Sequence, residues 1–274
     1  MLSAYVLSLR EGLEAALVVG VVLSALRKLG RRELNAPVWS GAGLAGLLSL
    51  VAAVLLTYLG LELKDPAEAI FEAITMLLAG GLLTWMIFWM GRHAGAFQAS
   101  LQSGVQRASL GGKGSLFWLA FLSVLREGVE LALFLTAAAF SSSAVQTVTG
   151  ALLGLGTAFL LGWGLFASSV RLNLKHFFTV TGILLVFFAA GLVVRSIHEF
   201  NELGWVPAIV APVWNLSGVL SDQSLFGQIL ATLFGYTASP SLTEVLAYGM
   251  YIAVVLFGLI WVLRRSGRSA QPQG

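Results

Sequence analysis

The stretch Ser8-Leu9-Arg10-Glu11-Gly12-Leu13-Glu14-Ala15-Ala16-Leu17 lies inside a largely apolar run from Leu2 to Leu26. A second run, Leu116 to Phe140, holds Ser123-Val124-Leu125-Arg126-Glu127-Gly128-Val129-Glu130-Leu131-Ala132-Leu133. The pattern Arg-Glu-Gly-x-Glu thus occurs twice, 116 residues apart, each time about ten residues into an apolar segment. Both segments are long enough to cross a bilayer as helices, because about 30 Å of hydrocarbon needs about 20 residues. A charge at the centre of such a helix costs roughly 2.5–3.5 kcal/mol, so six of them carry a gross penalty of about 15–20 kcal/mol before pairing. Residues kept against that penalty are expected to serve a function.

The rest of the chain supports a membrane setting. Of 274 residues, 58% are hydrophobic and 11% charged, and mean hydropathy is +0.88. Soluble domains carry about 25% charged residues. Seven spans are predicted: residues 2–26, 39–59, 67–90, 116–140, 145–168, 177–197 and 243–263. The expected fold is all-α, one polytopic transmembrane domain over residues 1–263 with a cytoplasmic tail at 264–274. The first segment has no basic n-region and holds Arg10, Glu11 and Glu14, so it reads as a retained helix, not a cleaved signal peptide. The chain has no cysteine, which excludes disulfides, thiolate metal sites, iron–sulfur clusters and cysteine nucleophiles.

Lysine and arginine set the expected orientation. Arg27, Lys28, Arg31 and Arg32 follow the first span. Arg92, Arg107 and Lys113 lie between the third and fourth, Arg171 and Lys175 between the fifth and sixth, and Arg264, Arg265 and Arg268 after the seventh. These are twelve of the sixteen basic residues, and all fall on one side. The N-terminus is therefore expected outside and the C-terminus in the cytoplasm of a cytoplasmic (inner) membrane. The net charge of +3 reflects this layout, not nucleic-acid binding. Glu62, Asp65, Glu68, Glu199, Glu202, Asp222 and Glu244 fall on or near the outer side. The connection from His198 to Leu242 holds Pro207, Pro212, Trp205, Trp214 and a short amphipathic stretch, Leu225 to Phe234, expected at the outer face.

Within each motif the arginine and second glutamate are i,i+4 and share a helix face. The two glutamates are i,i+3, about 60° apart, so both can point to one interior. A packing network alone would not need two carboxylates per arginine, and each copy keeps one surplus negative charge. The first span enters from outside and the fourth from the cytoplasm, so the copies are expected antiparallel in an inverted 3+3 repeat plus a seventh helix. Such repeats place a substrate site at their interface. Carboxylates without histidine or cysteine suit hard cations such as Mg²⁺, Ca²⁺, Mn²⁺ or iron. Chemistry alone goes no further than that class.

The doubled Arg-Glu-Gly-x-Glu resembles the Arg-Glu-x-x-Glu motif of the oxidase-dependent iron permeases, fungal and bacterial. Also similar are Leu83-Thr84-Trp85-Met86-Ile87-Phe88-Trp89-Met90, Arg171-Leu172-Asn173-Leu174, Ala189-Ala190-Gly191-Leu192, Leu225-Phe226-Gly227 and Phe234-Gly235-Tyr236. The resemblance spans nearly the whole chain. It implies import of iron, as Fe³⁺ or Fe²⁺, with Glu11, Glu14, Glu127 and Glu130 as ligands and Arg10 and Arg126 balancing charge. It implies no enzymatic activity and no cofactor beyond the transported iron. A periplasmic iron-binding protein or an oxidase is the implied partner. Glu72 of Phe71-Glu72 matches a family acidic position. Glu68, one turn earlier, belongs to the expected outer vestibule. His198 and Glu199, with Glu202 a turn on, are candidates for an outer ion-gathering site. Rival classes using the same acids are an intramembrane metal-dependent hydrolase, for which no nucleophile is present in mid-span, and a metal-binding sensor or structural subunit. Within transport, Mn²⁺ is the rival cargo.

Overall fold

A computed structural model describes residues 1–93, 111–140, 142–167, 174–222 and 224–268, with side chains at all of these except 61, 90–93, 166–167, 174–175, 225 and 262–268. The regular elements among them are all helical. They are α1 (Leu2–Lys28), a 3-10 turn (Arg32–Leu34), α2 (Asn35–Glu62), α3 (Ala67–His93), α4 (Gly112–Phe140), α5 (Ala144–Ala167), α6 (Leu174–Glu202), α7 (Leu225–Phe234) and α8 (Leu242–Arg268). Five regions are long and apolar enough to cross a membrane: Arg32–Gly60, Ala67–Trp89, Ala144–Leu165, His176–Glu202 and Leu242–Trp261. Helices α1 and α4 are as long, at 27 and 29 residues, but each carries the charged motif at its middle. Most helices run several residues past the expected spans. A 27-residue helix is about 40 Å long, so its ends reach beyond the hydrocarbon into the headgroup layer. The basic positions Arg107 and Arg171, with Leu172 and Asn173, lie outside the described residues, as do the side chains of Arg92, Lys175, Arg264, Arg265 and Arg268.

Outward faces are apolar, as a bilayer requires. Along α2, Leu47, Leu50, Val54, Leu55 and Tyr58 are exposed, and along α5 so are Val148, Leu152, Phe159, Leu160 and Trp163. In water such surfaces would be untenable. The chain is a multi-pass membrane protein.

The chain divides into two compact units. The first is built of α1, most of α2, α4 and α5, and it contains both motifs. Its helices approach through small residues. Gly150, Gly154 and Gly162 of α5 face α1; a Cβ on Gly154 would lie 2.8 Å from Ser8 Cβ, and one on Gly162 2.8 Å from Ala16 Cβ. A Cβ on Gly12 would lie 2.8 Å from Ala158 Cβ, in the same register. Sequence numbers rise together along both helices, so α1 and α5 run parallel, joined also by Tyr5 Oη donating to Thr157 Oγ1 at 3.4 Å. The other pair repeats this arrangement. Gly41 of α2 meets the backbone of Phe117 and Phe121, and Gly128 of α4 meets Ser49, so α2 and α4 are also parallel. Spacing small residues one turn apart is how membrane helices reach such contact. Between the pairs, Val22 and Leu26 of α1 share a buried cluster with Leu116 and Ala120 of α4, while Glu11 and Glu14 meet Glu127. Helices α1 and α4 are therefore antiparallel, as expected from the motifs.

The second unit holds α3, most of α6, α7 and α8. Ser196 Oγ donates to Ala73 O at 2.8 Å, and a Cβ on Gly80 would sit 3.3 Å from Ala189 O, so α3 and α6 run antiparallel. Thr84 and Tyr251 share a hydroxyl–hydroxyl hydrogen bond of 2.7 Å, and Gly258 packs on the Phe88 ring, so α3 and α8 run parallel. The short α7 occupies the stretch expected for it. Ser224 Oγ accepts from Gly227 N at 3.0 Å as its N-cap, and Gly235 ends it at φ 68°, a conformation glycine adopts without strain. Gly235 also touches Gly191 of α6, where a Cβ would lie 2.8 Å from Gly235 N. Two of the family-like stretches, Ala189–Leu192 and Phe234–Tyr236, thus meet. The preceding irregular chain is tied down, with Val213 N donating to Pro240 O (2.9 Å), Leu216 N to Ala238 O and Leu242 N to Val210 O (both 2.8 Å).

Candidate functional site

Helix geometry explains how the motif charges come to point inward. At 100° per residue, Arg10, Glu11 and Glu14 occupy an arc opposite Gly12. Gly12 is pressed against α5, so the three charges face away from α5. In the second copy Gly128 is pressed against α2, and Arg126, Glu127 and Glu130 point away from it. The glycines thus set the rotation of both helices.

The four glutamates are buried: Glu11 is 1% exposed, Glu14 5%, Glu127 3% and Glu130 8%. One carboxylate oxygen from each of Glu11, Glu14 and Glu127 lies within 4.8 Å of the other two. Glu130 is not among those three. Glu11 Oε2, Glu14 Oε1 and Glu127 Oε2 are buried with no hydrogen-bond partner among the described residues. Arg10 Nη2 stands 2.9 Å from Glu14 Oε1, an ion pair without hydrogen-bond alignment. Leaving a buried acceptor unmet costs about 1–3 kcal/mol, more for a charged one. Three carboxylates can share one enclosure only if protons or a cation offset their repulsion. The donor set is all oxygen, which suits a hard cation.

Each arginine holds both glutamates of its own motif. Arg10 Nη1 donates to Glu11 Oε1 at 2.7 Å, in addition to the Glu14 pair. Arg126 donates to Glu127 Oε1 from Nη2 at 2.6 Å and from Nε at 3.1 Å, with Glu130 Oε1 at 3.6 Å. The i,i+4 pairing expected from sequence is present in both copies, yet the adjacent glutamate is the shorter contact.

The remaining candidates fall in the second unit. Glu72 is half-buried and feels the charges of Glu199 and Glu68. His198 contacts two acids, Glu244 and Glu202. Its Nδ1 lies 2.9 Å from Glu244 Oε1 and its Nε2 3.5 Å from Glu202 Oε1. Glu244 was placed by sequence only among the outer-side acids, without a partner. It sits at the start of α8, where its N–H donates to Ser241 Oγ at 3.2 Å, and Ser241-Leu242-Thr243-Glu244 is a recognisable helix-start pattern. Its partner His198 lies 46 positions away, which no local pattern reveals. Ser49 was missed for the same reason. Its hydroxyl is satisfied by Ala45 O at 2.8 Å, and it packs directly on the second motif.

Long apolar helices around an enclosed acidic centre define a multi-pass membrane protein of the transporter type. The chain belongs to the iron permease FTR1 family, whose model matches residues 1–267. It is 35% identical over 264 residues to the ferrous iron permease EfeU of Shigella sonnei and to that of Escherichia coli O157:H7, covering 94% of this chain and 96% of each relative. It is 33% identical over 264 residues to the ferrous iron permease EfeU of Yersinia pestis, covering 94% of both chains. No solved structure matches the chain.

Proposed function

We propose that this protein imports iron, as Fe²⁺, across the cytoplasmic membrane through a centre formed by Glu11, Glu14, Glu127 and Glu130. The observation that carries this reading is the convergence of three buried carboxylates, each with one oxygen that makes no hydrogen bond among the described residues. Four carboxylates and two guanidiniums leave a charge of −2, which a divalent ion neutralises; buried charge is tolerated only when balanced. The relatives named as ferrous permeases favour the same ion.

In this reading α1–α6 and α8 are the seven spans, with the N-terminus outside and the C-terminus cytoplasmic. Helices α1–α3 and α4–α6 form an inverted repeat, supported by the matching α1–α5 and α4–α2 contacts. Glu68, Glu72, His198 and Glu199 gather cations at the outer end of α3 and α6, receiving iron from a periplasmic iron-binding protein or oxidase. An inside-negative potential then favours entry of a divalent ion by about 4.6 kcal/mol per 100 mV. Purified protein in liposomes, given radio-iron as Fe²⁺ under reductant, is expected to show flux that Glu14→Gln abolishes. Binding without flux would overturn transport in favour of a sensor, and uptake of Mn²⁺ in preference to Fe²⁺ would overturn the cargo.

A further inference from the structure

The two motifs share a sequence pattern and differ in their setting. The Arg10 side chain is 2% exposed and sealed between Glu11 and Glu14. The Arg126 side chain is 50% exposed, while Glu127 and Glu130, which it contacts, are buried. An open guanidinium at mid-helix cannot face hydrocarbon without a penalty of at least roughly 2.5–3.5 kcal/mol, whereas a water-filled approach removes that penalty. Glu127 joins the two environments: its Oε1 is held by Arg126, while its Oε2 is one of the orphan oxygens of the carboxylate group.

We propose that Arg126 stands at the mouth of the carboxylate centre and selects the charge of the ion admitted, while Arg10 is a fixed internal counter-charge. This rests on the reading of the four glutamates as the ion site. With both arginines in place the centre carries −2 and is matched by a divalent ion. Without Arg126 it carries −3 and is matched by a trivalent one. Removing Arg126 also frees Glu127 Oε1 to turn toward the ion, adding an oxygen ligand. Arg10 cannot serve in this way, because no exposed path reaches it and its loss strands two buried carboxylates.

Selectivity and accessibility test the proposal separately. Competition between Mn²⁺ and Tb³⁺, both stable to redox change, is measured on purified protein in detergent for the native chain, Arg126→Gln and Arg126→Lys. Arg126→Gln is expected to shift the Tb³⁺/Mn²⁺ affinity ratio toward Tb³⁺ by at least tenfold, and Arg126→Lys to keep the native ratio. The chain has no cysteine, so Arg126→Cys and Ser8→Cys, the latter at a fully buried position of α1, carry single thiols. A water-soluble methanethiosulfonate reagent is expected to label the first and not the second, with Mn²⁺ slowing the reaction. An unchanged ratio in Arg126→Gln, or an unlabelled Arg126→Cys, overturns the selector. Absence of any Mn²⁺ binding by the native chain would instead overturn the ion site itself.

Discussion

Gly128 of α4 faces Ser49 of α2 with no room for a side chain between them, a Cβ on Gly128 falling 2.5 Å from Ser49 Cβ. This contact sets the rotation of α4 and so the direction of Glu127 and Glu130. Gly128→Ala is expected to destabilise the protein by about 1–3 kcal/mol, the range for overpacking, and to reduce iron uptake with it. Thermal unfolding in detergent reads the first effect. Ser49→Gly in the same chain should restore much of the lost stability, and failure to do so would show that Gly128 matters for another reason.

Neutralising one carboxylate should separate stability from activity. Glu11→Gln and Glu14→Gln keep the side-chain volume and remove one of several mutually repelling buried charges. Each is expected to lower iron uptake at least tenfold while the protein remains in the membrane with unchanged or raised thermal stability. Combined loss of uptake and of folded protein would indicate a packing role for the carboxylate.

Removing the arginines should have unequal effects. Arg10→Gln leaves Glu11 and Glu14 without their counter-charge in a closed site, a change worth about 3–5 kcal/mol in buried pairs. It is expected to abolish monodisperse folded protein. Arg126 is half open to its surroundings, where ion pairs are worth about 1 kcal/mol or less, and Arg126→Gln is expected to yield folded protein. Size-exclusion profiles of the two variants decide this.

The contact between His198 and Glu244 clamps the start of α8 onto the end of α6. Glu244→Gln is expected to lower stability by about 1 kcal/mol, given the half-exposed histidine. Hydrogen exchange should rise at the first turn of α8 and stay unchanged at Glu11 and Glu127. Faster exchange at those glutamates would show that the clamp reaches further than its own helices.

Much of this architecture is written in local patterns. Among the described residues the long apolar runs form long helices, because in lipid no open structure satisfies the backbone, and most of these helices extend several residues past the expected spans. Leu225–Phe234 was recognisable because a ten-residue apolar helix is too short to span. The doubled motif pointed to Glu11, Glu14, Glu127 and Glu130, and the structure groups the first three of these. The inequality of Arg10 and Arg126 was not legible, since both lie in the same five-residue pattern and only the neighbouring helices decide which is enclosed. The pairing of α1 with α5 and of α2 with α4 was also hidden. Its small residues look like ordinary membrane-helix glycines until Gly154 is seen against Ser8 and Gly128 against Ser49.

The crossed pairing of α1 with α5 and α4 with α2 bears on how the chain is made. When α1 leaves the ribosome, the helix that will pack on Gly12 and the glutamate that will face Glu11 have yet to be synthesised. At about 5–20 residues per second, the first charged helix waits on the order of ten seconds for them. A chain truncated before α4 therefore exposes Arg10, Glu11 and Glu14 without the helix that faces them, and quality control in the membrane should remove it. This unit is complete only once α5 has been made, and neither α1 with α2 nor α4 with α5 holds both partners of these contacts.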